Sequence, residues 1–213
     1  MKLYYFPGAP SPRKVGLFIS EKGLDIPTEI LNIRAGEHRT KKFAATHPGL
    51  TLPVLVLDDG ACITESLAIA HYLEQENPEP NLFGLDSKEQ ALVLMWHDIA
   101  MFEGYLGIQE RLRNSPEFGE ARALPGPVPF EQIPALIKRG EKRITTFFDK
   151  VERRLSESSF LAIERYTYAD LATYIYLEFA QRVTGKNLYH EREHLADWAE
   201  RISKRPAVTA IAD

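Results

Sequence analysis

Hydrophobic positions follow two regimes along this chain. Up to about residue 78, short apolar runs alternate with helically spaced ones; beyond it only helical spacing persists. Lys2–Phe6 has strand character, and Pro12–Lys22 places Val15, Phe18 and Ile19 on one side of a helix. Gly23 follows that helix, where a C-terminus favours left-handed backbone. Ile26–Ile33 predicts a second strand, and the polar, basic connection Arg34–Lys42 leads to a short helix near Phe43 and Ala44. Thr51–Ser66 reads as an apolar strand, a tight turn at Asp59-Gly60, a second short strand and a helix start. Thr64 is expected to cap that helix at Glu65, with Leu67, Ile69, Ala70 and Leu73 as its apolar face to about Gln75. The order is βαβ followed by ββα.

Asn77-Pro-Glu-Pro-Asn81 breaks this alternation as a Pro-flanked linker does. After it, Leu92, Trp96, Ile99 and Leu106 keep helical spacing, as do Ile144, Phe148, Val151 and Leu155. Pro116–Pro129, rich in Pro and Gly, is a loop between them. Thr167-Tyr-Ala-Asp170 resembles a capping box opening a helix through Leu171, Ile175 and Phe179. A last helix starts near Glu193, and Pro206 ends or restarts it. The expected architecture is α/β plus all-α: a first domain at 1–78, a linker at 79–86 and a helical domain at 87–213.

A net charge of −4 gives no reason to expect nucleic acid as a partner. No apolar run approaches the roughly 20 residues a membrane helix needs, and Met1–Phe6 enters a strand-like run at once, which argues against a secretory leader. The single cysteine, Cys62, excludes an internal disulfide and a Cys-x-x-Cys pair, so a reducing cytoplasm is the default. Cys62 itself, between Ala61 and Ile63, is expected as a small buried apolar side chain.

Leu52-Pro53 before the third strand, Thr64-Glu65-Ser66 at the next helix, the Pro-rich linker and the Thr167-x-x-Asp170 cap form an ordered set over nearly the whole chain. In that set the chain resembles a bacterial-type cytosolic glutathione S-transferase. The resemblance implies a thioredoxin-like first domain with a cis Leu52–Pro53 peptide, the backbone of Leu52 lying along the cysteinyl part of glutathione like an added strand. It implies that Ser66 takes the γ-glutamyl carboxylate at a helix N-terminus and Glu65 the ammonium. His38, in a segment made cationic by Arg39, Lys41 and Lys42, matches a clamp for the glycine carboxylate, while Leu50 replaces a polar residue that often assists it.

Conjugation by such an enzyme needs the thiolate, and a cysteine thiol has a pKa of about 8.5. Lowering it by ~2 units takes ~2.7 kcal/mol. One hydroxyl donating to the sulfur (~1.5–3 kcal/mol) with a helix N-terminus (~0.3–2 kcal/mol) is enough, and no metal is required. Serine-type members place their Ser where this chain has Ala9, cysteine-type members a Cys at Pro10, and tyrosine-type members a Tyr matching Tyr5. Ser11, at the start of the first helix, is the preferred hydroxyl and Tyr5 the alternative, so the subclass stays open. Ser11 before Pro12 also reads as an N-cap followed by a proline at the first helical position.

The second substrate, a small hydrophobic electrophile, is expected between the domains near Phe6, Pro7, Met101, Phe102 and Tyr105, with Glu117–Pro129 as a lid. The resemblance further implies a homodimer and a detoxification role. Rival readings are another glutathione-dependent reaction (isomerase, dehalogenase or peroxidase) and a noncatalytic binding or interaction module. His190-Glu-Arg-Glu-His194 satisfies a zinc-protease string, yet lacks a third ligand and a buried apolar face, and is read as a solvated turn.

Overall fold

The computed structural model describes residues 1–211. They divide into two compact units, the first Met1–Pro80 with Pro125–Pro129 and residues 210–211, the second Asn81–Leu124 with Phe130–Thr209.

The first unit is α/β. Its strands are β1 (Lys2–Tyr5), β2 (Thr28–Ile30), β3 (Val54–Val56) and β4 (Cys62–Thr64), in the spatial order β2-β1-β3-β4. β1 and β2 are parallel, and β3 is antiparallel to both β1 and β4. Helices α1 (Pro10–Glu21), α2 (Lys41–Thr46) and α3 (Ser66–Glu76) complete the unit. Val15, Leu17 and Phe18 of α1 and Ile69, Ala70 and Leu73 of α3 are buried without exposure, because α1 and α3 pack side by side.

A second small core joins Leu31, Phe43 and Val54, with Tyr4, Leu50, Leu52 and Val56 around it. At the far end of α1, buried Lys22 donates to the carbonyls of Asn77 and Pro80 at 2.8 and 2.6 Å and pairs with buried Glu74 at 2.5 Å. A pair so enclosed is held by geometry, since removing either partner strands a charge in a dry interior.

One expectation holds here and one shifts. The hairpin turn takes its positive φ at Gly60 (87°), as expected of Asp59-Gly60, with the Leu57 N–H donating to the Ala61 carbonyl at 2.8 Å. Cys62 is exposed rather than buried: β4 is the edge strand, and its thiol lies 3.5 Å from the Thr46 carbonyl.

The second unit is helical, its only β feature among the described residues being an isolated bridge, Arg122 to Phe130. α4 (Ser87–Ile99) runs through a π-helical turn at Ala100–Tyr105 into α5 (Leu106–Arg113). This continuous helix, Ser87–Arg113, is long and apolar enough by length and composition to cross a membrane, contrary to the reading that no such run exists. Charged and polar residues interrupt its apolar positions, which hides the stretch from inspection, and Val93, Ala100, Gly104 and Ile108 are buried within the unit.

α6 (Ala135–Leu155) buries Ile144, Phe148, Val151 and Leu155 as spaced, and α7 (Tyr168–Thr184) is buried on nearly every side. α8 (Glu193–Ser203) follows, and Pro206 restarts the chain as α9 (Pro206–Ala210). α5 and α6 approach closely through glycine. A methyl on Gly140 would meet the Gly107 carbonyl at 2.5 Å, and one on Gly104 would meet the Phe147 ring at 2.6 Å.

The Thr167–Asp170 box is formed and reaches further than a cap. Asp170, fully buried, accepts from the Thr167 N–H and hydroxyl (both 3.1 Å), the Leu161 N–H (3.0 Å) and the Trp198 indole (3.1 Å). Burial pushes its carboxyl up to about 6 while these donors pull the other way. One acid thereby joins the start of α7, the strap before it and α8.

Candidate functional site

The strand register decides what can come together. Tyr4 and Tyr5 at the end of β1 pair with Val54 at the start of β3 and with Ile30 at the end of β2, and Val54 pairs with Thr64 at the end of β4. Four segments therefore leave the sheet at one end. After β1 comes the start of α1 with Ser11; after β2, the turn holding His38; before β3, Leu52-Pro53; and after β4, Glu65-Ser66 at the start of α3. Two helices begin at this end, and the partial positive charge of each N-terminus adds to the same region.

The Leu52–Pro53 peptide is cis, as the resemblance implies. Pro53 is buried against the sheet and Leu52 packs on the Leu31–Phe43–Val54 core. Leu50, two residues earlier, adopts left-handed φ (52°) and packs on that same core, which is why an apolar residue stands where a polar one was anticipated.

Helix α3 starts one residue later than expected. Thr64 stays in β4, and Glu65 is the N-cap with φ 66° and ψ 123°, a conformation that costs a non-glycine residue roughly 1–3 kcal/mol. The Glu65 carbonyl accepts from the Ile69 N–H at 3.0 Å, but its side chain is exposed and does not cap the turn. The first-turn N–H groups are left for another acceptor. Ser66, the first helical residue, is buried, and its hydroxyl has no partner within the described chain.

The start of α1 also departs from expectation. Ala9 is the N-cap, Pro10 the first helical residue and Ser11 the second, so Ser11 is not the cap. The cause is a pair of prolines, Pro10 and Pro12, which fit a first helical turn because neither has an N–H to satisfy. The Arg13 N–H bonds the Ala9 carbonyl at 3.1 Å, leaving Ser11 to present the one unpaired N–H of the turn together with a hydroxyl that likewise has no partner in the described chain.

Tyr5 lies elsewhere: a methyl on Gly16 would meet its hydroxyl at 2.7 Å, which puts the phenol against the second turn of α1. Burial raises its pKa against the opposing pull of Arg13.

His38 is half-buried in a single 3₁₀ turn, Glu37–Arg39. Asn32 shapes the approach, its side-chain oxygen accepting from the N–H groups of Arg34 (2.9 Å) and Ala35 (3.2 Å), and Gly36 supplies φ 78°. Arg39, Lys41 and Lys42 are exposed. His47 and Thr51, not singled out from the sequence, bond at 2.9 Å between Nε2 and hydroxyl just before Leu52.

The residues assigned to the electrophile belong to separate units. In the first, the Phe6 ring covers Gly8 and Pro7 is exposed. In the second, all three lie on the π-helical turn: Tyr105 stacks on Tyr176 at 4.8 Å, the Tyr176 hydroxyl donates to the Met101 sulfur at 3.5 Å, and Phe102 is 60% exposed. The segment assigned as a lid is anchored by Arg113, whose guanidinium lies over Phe118 and donates to the Arg122 carbonyl at 3.1 Å.

Residues 9–76 match the family described as glutathione S-transferase, N-terminal domain, and residues 136–211 match the corresponding C-terminal domain. Glutathione S-transferase F14 of Arabidopsis thaliana is 30% identical over 196 residues, covering 89% of this chain and 74% of that protein. Glutathione S-transferase F10 of the same plant is 28% identical, covering 95% and 92%. The crystal structure of a glutathione S-transferase domain-containing protein from Marinobacter aquaeolei VT8 superposes with a TM-score of 0.88 at 30% identity, over 98% of this chain and all of that one. The chain belongs to the glutathione S-transferase family.

Within this family the first unit is the thioredoxin-like domain and the second the helical one. The chain's HExxH string forms no zinc-protease face: His190 lies in a turn with its side chain 78% exposed and is followed by Glu191 at φ 60°, whereas His194 is on α8. One further residue near the site escaped the sequence reading. Lys14 on α1 is buried, and burial brings its ammonium down to about 7 against the raising influence of Glu65. A lysine within a helical run gives no sign in the sequence that its tip is enclosed.

Proposed function

We propose that this protein is an enzyme that binds glutathione at the end of the β2-β1-β3-β4 sheet, stabilises its thiolate and transfers it to a small hydrophobic electrophile. The observation that supports this reading best is the strand register, which sends Ser11, His38, Leu52-Pro53 and Glu65-Ser66 out of one end of one sheet. Each offers a group matched to part of the tripeptide. Ser66 and the first-turn N–H groups of α3 suit the γ-glutamyl carboxylate, and exposed Glu65 suits the ammonium beside it. Leu52 offers main-chain groups to the cysteinyl unit, and His38, in a cationic segment, suits the glycine carboxylate.

Ser11 is the group assigned to the sulfur. Its hydroxyl and N–H stand together at a helix start, while the Tyr5 hydroxyl lies against Gly16 in the second turn of that helix. The sulfur is then an activated nucleophile delivered by proximity. We place the enzyme in the cytoplasm as a homodimer, in keeping with its family.

The test is glutathione affinity by calorimetry in wild type and Ser66→Ala. A hydrogen bond to a charged group is worth ~1.5–3 kcal/mol, so affinity falls about 10- to 100-fold while the pKa of the bound thiol moves little. Equal affinity in the two proteins removes Ser66, and the γ-glutamyl assignment with it.

A further inference from the structure

The chain between α2 and β3, residues 47–53, brings Leu52 to the end of the sheet, and it bends around the ring of its own first residue. His47 is the C-cap of α2: its N–H donates to the Phe43 carbonyl at 2.8 Å, and its carbonyl accepts from the Leu50 N–H at 3.1 Å. The imidazole stands edge-on to Phe43, with 6.2 Å between ring centres and 75° between planes, an arrangement that suits paired rings. Gly49 leaves room for it, since a methyl there would meet the ring's Cε1 and Nε2 at 2.6 Å. From this seat Nε2 bonds the Thr51 hydroxyl at 2.9 Å, four residues along the chain.

Thr51 is the residue on which such a bond has most effect. Leu50 and Leu52, on either side of it, pack on the Leu31–Phe43–Val54 core. Apolar packing is non-directional, so it fixes how deep the chain lies but not which way its peptide groups turn. Past the Leu50 N–H, the main chain of Thr51 and Leu52 has no hydrogen bond to another described residue before β3 begins at Val54. The directional tie in that stretch is the one from His47.

We propose that His47 is a positioning residue of the glutathione site, a role that rests on the glutathione reading above: through Thr51 it turns the Leu52 N–H and C=O toward the cysteinyl unit, so that ligand and protein pair as neighbouring strands do. An edge already set before the ligand arrives needs no ordering on binding, and the affinity gains by that amount.

The experiment measures binding of S-methylglutathione, whose blocked thiol keeps sulfur ionisation out of the comparison, and of its ester analogue, in which oxygen replaces the cysteinyl N–H. The ester cannot donate to the Leu52 carbonyl, so wild type is expected to bind it roughly tenfold more weakly. His47→Phe keeps a ring against Phe43 and loses the bond to Thr51. It is expected to bind S-methylglutathione about five- to tenfold more weakly than wild type but the ester within about twofold, so the discrimination between the two ligands nearly disappears. Thr51→Val, which removes the hydroxyl and keeps the shape, reproduces this loss, and the double variant is no weaker than either single one. Thr51→Ser, which keeps the hydroxyl, retains the discrimination of wild type. The Thr51 pair gives an independent reading should His47→Phe fail to fold.

Equal losses for both ligands in His47→Phe make the residue a structural one only and overturn the proposal. So do wild-type affinity for S-methylglutathione in that variant, additive losses in the double variant, or a Thr51→Ser as impaired as Thr51→Val; in these cases the glutathione reading stands. Wild type that binds both ligands equally also overturns it, by denying Leu52 its contact with the cysteinyl N–H. If wild type binds neither ligand, the glutathione reading itself falls, and the positioning role with it.

Discussion

Replacing Ser11 with Ala isolates the step on which transferase chemistry depends. Ser11 is the second residue of α1, between two prolines, so the first turn offers one N–H and one hydroxyl to an anion. The substitution removes the hydroxyl and leaves the N–H and the helix dipole. A hydrogen bond from a hydroxyl to a thiolate is worth ~1.5–3 kcal/mol, which at ~1.36 kcal/mol per unit raises the bound thiol's pKa by about 1–2 units. At a pH one unit below the free thiol's value, the thiolate fraction, and the rate of conjugation with it, then falls about two- to tenfold.

The assay is ultraviolet titration of the thiolate in the glutathione complex, with Tyr5→Phe as the comparison. Tyr5 is five residues from Ser11 in its contact with the helix, about 7.5 Å along the axis, and its removal leaves the thiol unmoved. A bound pKa unchanged in Ser11→Ala refutes the assignment. A rise confined to Tyr5→Phe transfers the role to the phenol.

Other consequences follow from the second unit. Asp170→Ala leaves four buried donors unpaired, on Thr167, Leu161 and Trp198, and is expected to cost about 3–5 kcal/mol in urea unfolding at neutral pH. A loss under 1 kcal/mol denies the carboxylate its joining role. Gly140→Ala forces a methyl onto backbone of α5, at 2.5 Å from the Gly107 oxygen and 2.7 Å from the Arg111 nitrogen, and should destabilise the protein by ~1–3 kcal/mol despite alanine's better helix propensity. A stabilised variant shows that the crossing has slack.

The elements that were legible in the sequence are those whose pattern is local. Ile144, Phe148, Val151 and Leu155 repeat at helical spacing and are all buried; Thr167-x-x-Asp170 is a capping box because its two side chains serve backbone three residues apart. What sequence concealed depends on the third dimension. Thr64 looks like a cap, but pairing with Val54 keeps it in β4 and passes the position to Glu65, at a left-handed φ no composition rule assigns to glutamate. Ser11 looks like a cap because Pro12 follows, yet Pro10 supplies an earlier start. Cys62 alternates like a core residue, and only its place on an edge strand exposes it. Lys14 gives no sign in the sequence that its side chain is enclosed.

The most direct test of the account is a crystal structure of the protein with glutathione. The account predicts the γ-glutamyl carboxylate on the Ser66 hydroxyl and α3 N-terminus, the cysteinyl main chain along Leu52, and the sulfur within hydrogen-bonding distance of Ser11. A tripeptide bound elsewhere, or an end of the sheet that stays empty at saturating glutathione, contradicts it.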